Sequence, residues 1–329
     1  MPAEPSAAPA ARPPARCLSA PSCRPADTLG LDASVWNGDV EEFLGGLPAE
    51  PVFDLVVTSP PYNIGKSYEK KSALGKYLEW QERVVDLVVP RLKDTGSLCW
   101  QVGNFVDNGE IFPLDIEFAP IFKKHGLQLR NRIVWHYGHG LHCQRRFSGR
   151  YEVVMWYTKT GGYVFDLDAV RVPSKYPGKR HHTGPNKGKL SGNPLGKNPE
   201  DVWDIPNVKS NHVEKTGHPC QFPVGLVERL VLALTRPGDL VFDPFAGVAS
   251  SGVAALIHGR RFCGSELDAG YAETGAARMR AAQAGEVVHR PHDKPLYDHT
   301  ASNLSKAPDW RGEAASGRVR RADLVGGSQ

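Results

Sequence analysis

Short apolar runs alternate with amphipathic stretches through most of this chain. Phe53-Asp54-Leu55-Val56-Val57 is almost wholly apolar and stops just before two prolines. That is the pattern of a strand buried on both faces of a parallel sheet. Similar runs predict strands at Val35-Trp36-Asn37, Ser97–Val102, Ile133–Trp135, Val153–Tyr157, Leu240–Phe242 and Arg261–Ser265. Between them, helical spacing returns. Val40–Leu44 follows Asp39, a ready N-cap. Tyr77–Leu92 places Leu78, Val84, Val85, Leu87 and Val88 on one face. Leu114–His125 ends at Gly126, Val224–Leu234 is amphipathic, and Ser250–Ile257 opens a further helix. Strand and helix in alternation predict a doubly wound, mostly parallel α/β sheet.

Three stretches break the rhythm. Residues 1–28 are rich in Pro and Ala and cannot bury enough apolar surface to fold alone, which predicts an unstructured arm. From 161 to 215 the periodicity fades and Gly, Pro, Asn, Lys, Arg and His dominate. A structureless loop of that length inside a compact domain is improbable, so an inserted module is expected. The polar end, 285–329, is expected to be mostly disordered. The regular core is thereby split into a half at 29–160 and a half at 216–284.

Composition narrows the class without deciding it. The 329 residues carry a formal charge of +4, and charged side chains make up 23%. With a pI near 8.7 the chain is weakly basic, which is compatible with a polyanionic partner only where the charge is clustered. Clustering occurs in the insert, where Lys175, Lys179 and Arg180 are candidate DNA-phosphate contacts. No apolar run reaches transmembrane length and no signal-peptide pattern opens the chain, so a cytoplasmic protein with no membrane partner is expected. The six cysteines at 17, 23, 99, 143, 220 and 263 form no C-x-x-C pair, which fits a reducing compartment. His136, His139, His142 and Cys143 lie in a Gly-rich, Arg-flanked segment with no partner cluster to complete four ligands, so no metal site is expected.

The candidate chemistry gathers at the ends of two strands. After Val57 comes Thr58-Ser59-Pro60-Pro61-Tyr62-Asn63. Neither proline can donate to a ladder, so they form a stiff turn at a strand's carboxyl end, where open α/β sheets hold ligands. Ser59, the Pro60 carbonyl and the Tyr62 ring suit a flat ligand bearing an exocyclic amine. Ile64-Gly65-Lys66-Ser67 imitates the end of a phosphate loop but lacks the first glycine. Lys66 is a candidate contact to substrate phosphate. The second strand, Leu240–Phe242, leads into Asp243-Pro244-Phe245-Ala246-Gly247, and the next strand ends at Glu266.

Ser-Pro-Pro-Tyr resembles the catalytic motif of DNA methyltransferases that modify cytosine N4 or adenine N6. Asp-Pro-Phe-Ala-Gly resembles the same family's cofactor motif. The catalytic motif comes first, then the basic insert, then the cofactor motif, which is the permuted order of the β group of amino-methyltransferases. The resemblance spans roughly Val35 to Arg280. It implies a Rossmann-like methyltransferase fold with a seven-stranded mixed sheet, an inserted target-recognition region, S-adenosylmethionine as cofactor and double-stranded DNA as substrate. It assigns the methyl-transfer pocket to Ser59, Pro60, Pro61 and Tyr62. S-adenosylmethionine has no pyrophosphate to cradle. It needs close backbone approach at Gly247, a carboxylate near its amino group, for which Asp243 is placed, and an acid for both ribose hydroxyls, which is Glu266. Phe245 packs on the cofactor, Asp39 lies beside its adenine, and His218, Pro219 and Phe222 line its methionine end. Ala249 stands where the family commonly has glycine, which predicts a crowded cofactor loop.

Ser59 at the first motif position favours cytosine N4, with adenine N6 open as the alternative. A restriction–modification setting implies a cognate endonuclease as functional partner, and a homodimer is an open assembly. Pro219-Cys220-Gln221 imitates the nucleophile motif of cytosine C5 enzymes, but its order relative to Phe245 is reversed. A DNA-binding module with a decayed site, and an RNA or protein amine methyltransferase, are the readings from other classes.

Overall fold

The stiff Pro60-Pro61 turn leaves the carboxyl end of a central strand, and the rest of the sheet is built outward from there. The structure is a computed structural model that describes residues 16–18, 23–63, 65, 71–140, 142–298 and 300. Its strands are β1 (Arg16–Cys17), β2 (Ala33–Asn37), β3 (Phe53–Thr58), β4 (Leu92–Val102), β5 (Asn104–Asp107), β6 (Glu110–Pro113), β7 (Gln128–His136), β8 (Tyr151–Thr158), β9 (Val202–Asp204), β10 (Leu240–Asp243) and β11 (Arg261–Glu266). Its helices are α1 (Val40–Gly45), α2 (Leu74–Val88), α3 (Leu114–Lys124), α4 (Val224–Leu234), α5 (Ser250–Leu256) and α6 (Ala269–Gln283). All belong to one compact unit, Met1–Lys294; a second unit comprises Pro295–Gln329.

The main sheet has nine strands in the order β1-β2-β11-β10-β3-β4-β8-β7-β9. From β2 to β4 neighbours run parallel, while β8 is antiparallel to both β4 and β7. The expected seven-stranded mixed sheet is the central part, and β1 and β9 are added edges. β5 and β6 form a separate hairpin. Successive residues of the central strands alternate between two cores, as the pleat requires. Leu98, Trp100, Leu240 and Phe242 pack with Phe43, Tyr77, Val84 and Phe122 on one face. Cys99 and Val241 pack with Val227, Val231, Val253 and Met279 on the other. The result is a sheet between two helical layers.

β3 and β10 lie side by side although about 185 residues separate them in sequence, with Leu55 opposite Val241 and Val56 opposite Phe242. Phe53 and Phe242 stack at 4.3 Å across this seam. The seam brings the carboxyl ends of the two motif-bearing strands together.

Several elements differ from the expectation. Within the span 1–28, Arg16–Cys17 pairs with β2, and a 3-10 turn, Pro25–Gly30, begins there and runs past its end. Cys17 is fully buried, so local composition gave way to an available sheet edge. The long helix stops at Val88, four residues early, because Pro90 cannot donate to the ladder. β4 consequently begins at Leu92 rather than Ser97. The insert is narrower than 161–215. Tyr163 and Phe165 pack on Trp156, Asp166 N–H donates to the Ala233 carbonyl, and β9 joins the sheet beside β7. Residues 175–195 are all exposed and are closed off by the antiparallel bridges Val172–Lys197 and Arg180–Leu190. Gly196, at the neck, has φ +107°, and a Cβ there would collide with the Val172 carbonyl oxygen. At the other end, Arg290 N–H donates to Glu214 and His292 N–H to Glu228, so 290–292 docks on the core. Residues 1–15 of the arm, 301–329 of the tail, and Lys66 lie outside the described residues.

Candidate functional site

A cavity of about 780 Å³ opens at the carboxyl ends of β3, β10 and β11. Its size suits a small-molecule site, for which roughly 300–1,000 Å³ is usual. One wall is Ser59, Pro60, Pro61 and Tyr62 with Tyr77 and Trp80 from α2. Tyr77 donates its hydroxyl proton to the Pro61 carbonyl at 2.7 Å and holds the turn. Asn63 then leaves the turn at φ +60°, a left-handed conformation that asparagine tolerates. Its side chain bonds both the Ser72 N–H and the Ser72 carbonyl at 2.7 Å. The Ser-Pro-Pro-Tyr turn is therefore pinned from both sides.

The opposite wall comprises Phe245, Ala246, Gly247 and Val248 after β10, Glu266 at the end of β11, and Asp39, His218, Phe222 and Tyr271. Gly247 has φ +53°, and its missing Cβ leaves the backbone open beside the His218 ring. Its N–H donates to Glu266 Oε2 at 2.8 Å, and the Asp268 N–H donates to Glu266 Oε1 at 2.8 Å. Each carboxylate oxygen retains further acceptor capacity, and Glu266 lines the cavity. Burial pushes the Glu266 carboxyl up to about 7, against the two N–H bonds that favour its charge. Asp39 caps α1, accepting from the Glu41 and Glu42 N–H groups, and it also lines the cavity. His218 accepts from the Cys220 N–H and meets Tyr271 edge-on at 4.5 Å. Burial and nearby Lys215 push its imidazole down to about 4, so it is neutral at physiological pH.

Asp243 is not at the wall. It is fully buried beneath the loop, accepting from Thr58 Oγ1 at 2.6 Å, Ser251 Oγ at 2.5 Å and the Phe245 N–H at 3.0 Å. These bonds occupy the carboxylate that the motif pattern placed beside the cofactor's amino group. Burial pushes its carboxyl up to about 6. Pro219 is exposed and outside the lining. Ala249 does occupy a left-handed position, φ +54°, as the N-cap of α5. Its methyl group faces away from the cavity toward Gly275 on α6, so the expected crowding of the cofactor loop does not reach the wall.

Four contributors lie outside the two motifs, and only one of them carried a local hint. Trp80 meets Phe245 edge-on at 5.5 Å. Arg278 of α6 donates to the Val248 carbonyl at 2.5 Å and braces the loop. Behind Tyr62 stand Gln101 of β4 and Glu152 of β8. The Tyr62 hydroxyl is 3.0 Å from Ser59 Oγ, 2.6 Å from Gln101 Oε1 and 3.1 Å from Glu152 Oε2. One acid opening the apolar run Val153–Tyr157 was the available hint for Glu152.

Lys175, Lys179 and Arg180 are all exposed on the insert. Arg180 donates to the Gly188 carbonyl at 2.6 Å and so helps fold the insert. His136 pairs with Asp204 at 2.5 Å, tying β7 to β9. Among the described residues no cluster of His, Cys, Asp and Glu is arranged to hold a metal ion, and no helix is long and apolar enough to cross a membrane.

A family profile described as DNA methylase matches residues 53–277. The type II methyltransferase M.BglII of Bacillus subtilis is 45% identical over 270 residues, covering 82% of this chain and 74% of that protein. The DNA adenine methyltransferase YhdJ of Escherichia coli K12 is 31% identical over 265 residues, covering 79% and 87%. Among solved structures, the PvuII cytosine-N4-specific DNA methyltransferase superposes with a TM-score of 0.60 at 23% identity, covering 74% of this chain and 85% of its own. The TTHA0409 protein of Thermus thermophilus, in complex with S-adenosyl-L-methionine, superposes with a TM-score of 0.53 at 28% identity, covering 76% and 93%. The cavity fits that cofactor chemically. Glu266 offers acceptor lone pairs for paired hydroxyls, Gly247 permits close backbone approach, and Phe245, Trp80 and Phe222 give apolar surface.

Proposed function

This chain belongs to the family of N6/N4 DNA methylases and uses S-adenosylmethionine, and on that premise we propose that it methylates the exocyclic N4 amine of a cytosine in duplex DNA. The observation that carries the reading is that Ser59, Pro60 and Tyr62 share one cavity with Gly247 and Glu266. Ser59 selects the base. A neutral hydroxyl accepts one hydrogen bond from a cytosine amine, whereas the adenine enzymes of this family usually carry Asp there. Identity to the adenine methyltransferase YhdJ favours N6 of adenine as the second reading. Type II relatives support a place beside a restriction endonuclease of the same specificity.

S-adenosylmethionine, when bound, supplies a methyl group on a positively charged sulfur. Glu266 and Gly247 hold the cofactor, with Asp39, Phe245, His218 and Phe222 around it. An amine inside a duplex stack is out of reach, so the target base flips into the cavity. The Tyr62 ring stacks on it, and Ser59 Oγ and the Pro60 carbonyl accept from its N–H groups. The nitrogen lone pair then points along the line of transfer, and positioning supplies most of the rate.

The described residues 137–140 and 142–150 support a duplex-binding face on the cavity side of the sheet. β7 runs parallel to β3 and β4, so these residues follow its carboxyl end, on the same side of the sheet as the cavity. They include Arg145, Arg146 and Arg150 beside Phe147, which is 100% exposed. Lys175 and Lys179 add positive charge on the insert. The test is mass spectrometry of nucleosides from duplex DNA treated with pure enzyme and cofactor. N4-methylcytosine is expected; N6-methyladenine as sole product would replace the base assignment, and 5-methylcytosine would overturn the pocket as well.

A further inference from the structure

Glu152 is a partly buried carboxylate with no ion pair among the described residues, directly behind the Tyr62 wall of the cavity. Its Oε2 lies 3.1 Å from the Tyr62 hydroxyl and accepts from Gln101 Nε2, while its Oε1 lies 3.4 Å from the Tyr137 hydroxyl. Gly103 leaves room for this arrangement: a Cβ there would lie 3.2 Å from the Tyr62 ring and 3.4 Å from Glu152 Cγ. A carboxylate drawn partly out of water and held only by neutral donors is costly, and such groups concentrate at functional sites.

The hydrogen count makes the cluster directional. Tyr62 has one phenolic proton and two acceptors, Gln101 Oε1 and Glu152 Oε2. The Gln101 amide nitrogen is committed to Glu152, so its oxygen must face the phenol. With the phenolic proton directed inward, the 3.0 Å contact between Ser59 and Tyr62 is made by the serine proton. Ser59 Oγ is left with its lone pairs for the cavity. The chain Ser59–Tyr62–Glu152 thus runs from the substrate wall to a partly buried proton acceptor.

We propose that Glu152 is a positioning residue that acts through Tyr62: it orients Ser59 as an acceptor and takes up the proton released by amine methylation. The proposal rests on the amino-methylation reading and holds for either base. A nitrogen that gains a methyl group carries one proton too many. That N–H bond breaks as Ser59 Oγ takes the proton. The serine proton passes to Tyr62 Oη, and the phenolic proton passes to Glu152 Oε2. Ser59 and Tyr62 end unchanged, and a carboxylate has become a carboxylic acid. Burial, the largest influence on Glu152, raises its proton affinity above the usual carboxylate range, which suits an acceptor. Tyr62, Gln101 and Tyr137 are the groups that face it, and the Tyr62 and Tyr137 hydroxyls are themselves pushed up by burial and by the Glu152 charge.

The test is single-turnover methylation of duplex DNA at saturating cofactor, followed across pH. The wild-type rate constant is expected to rise with pH through one ionisation and level off. Glu152→Gln is expected to lose the rising limb and about 100-fold in rate, near the low end for proton-transfer catalysis. Its affinity for S-adenosylmethionine should stay within about twofold, because Glu152 does not line the cavity. Tyr62→Phe, which keeps the ring, is expected to flatten the profile in the same way, and Glu152→Asp to restore part of the limb. A wild-type profile in Glu152→Gln or in Tyr62→Phe would overturn the proposal. Should Glu152→Gln fail to fold, Tyr62→Phe and the curvature of the wild-type rate with deuterium content decide, a linear dependence excluding the concerted three-proton relay. A wild-type enzyme that makes no methylated amine would refute the parent reading instead.

Discussion

Thr58 and Asp243 share a buried hydrogen bond of 2.6 Å between the last residues of β3 and β10. It joins the strand that carries the Ser-Pro-Pro-Tyr turn to the strand that carries the Asp-Pro-Phe-Ala-Gly loop. Ser251 Oγ and the Phe245 N–H bond the same carboxylate, so Asp243 couples turn, loop and helix α5.

Asp243→Ala is therefore expected to act on stability before cofactor contacts. It leaves the Thr58 and Ser251 hydroxyls and one N–H without their partner, at about 3 kcal/mol in total. Urea unfolding of the free enzyme measures it. A wild-type midpoint with lost cofactor affinity would return Asp243 to the cavity wall.

Ala249 and Gly275 form a second, smaller lock. A Cβ on Gly275 would lie 3.1 Å from the Ala249 Cβ and 3.3 Å from the loop backbone. Gly275→Val is expected to destabilise by about 2 kcal/mol and to weaken cofactor binding by displacing residues 247–249. Ala249→Gly in the same chain should recover part of both losses. Thermal unfolding and calorimetry of the two variants check this coupling.

Glu266 predicts two opposite pH trends. Its carboxyl rises from an ordinary 4.5 to about 7 in the folded chain. A raised pKa contributes stability that is complete below 4.5 and lost as pH rises through 7, so the free enzyme should weaken over that window. Cofactor hydroxyls need the carboxylate, so S-adenosylmethionine affinity should rise over the same window, by up to about tenfold per pH unit. Glu266→Gln should flatten both curves. Calorimetric titration and thermal melts from about pH 5 to 8, which bracket the shifted carboxyl, provide the readout.

Lys175 and Lys179 should act on DNA affinity through salt. Each neutralisation is expected to lower the slope of log K against log salt by about 0.9, equally on all sequences. Arg180 should behave differently, because losing its bond to the Gly188 carbonyl also loosens the insert. An unchanged slope in the Lys175/Lys179 double variant would remove the insert from the electrostatic footprint.

Much of this architecture is written locally. The apolar run before Pro60, the capping of α1 by Asp39, the left-handed Gly126 after α3 and the bounds of α4 follow from periodicity and chain stiffness within a few residues. The two motifs and their order are equally local, and they carried the family and the cofactor. What the linear chain left open was set at long range. Cys17 found a sheet edge that composition could not reveal, and Pro90 divided one apolar stretch between a helix and a strand. Asp243 turned inward because the adjacent β3 offered Thr58, a partner 185 residues away. Glu152 reached Tyr62 only because β8 is antiparallel to β4, which puts the acid beside the end of the strand carrying Gln101. Helix and strand signals are short-range properties of the backbone. Which strands become neighbours is decided by burying both faces of the sheet at once, and that choice alone determines which polar side chains meet.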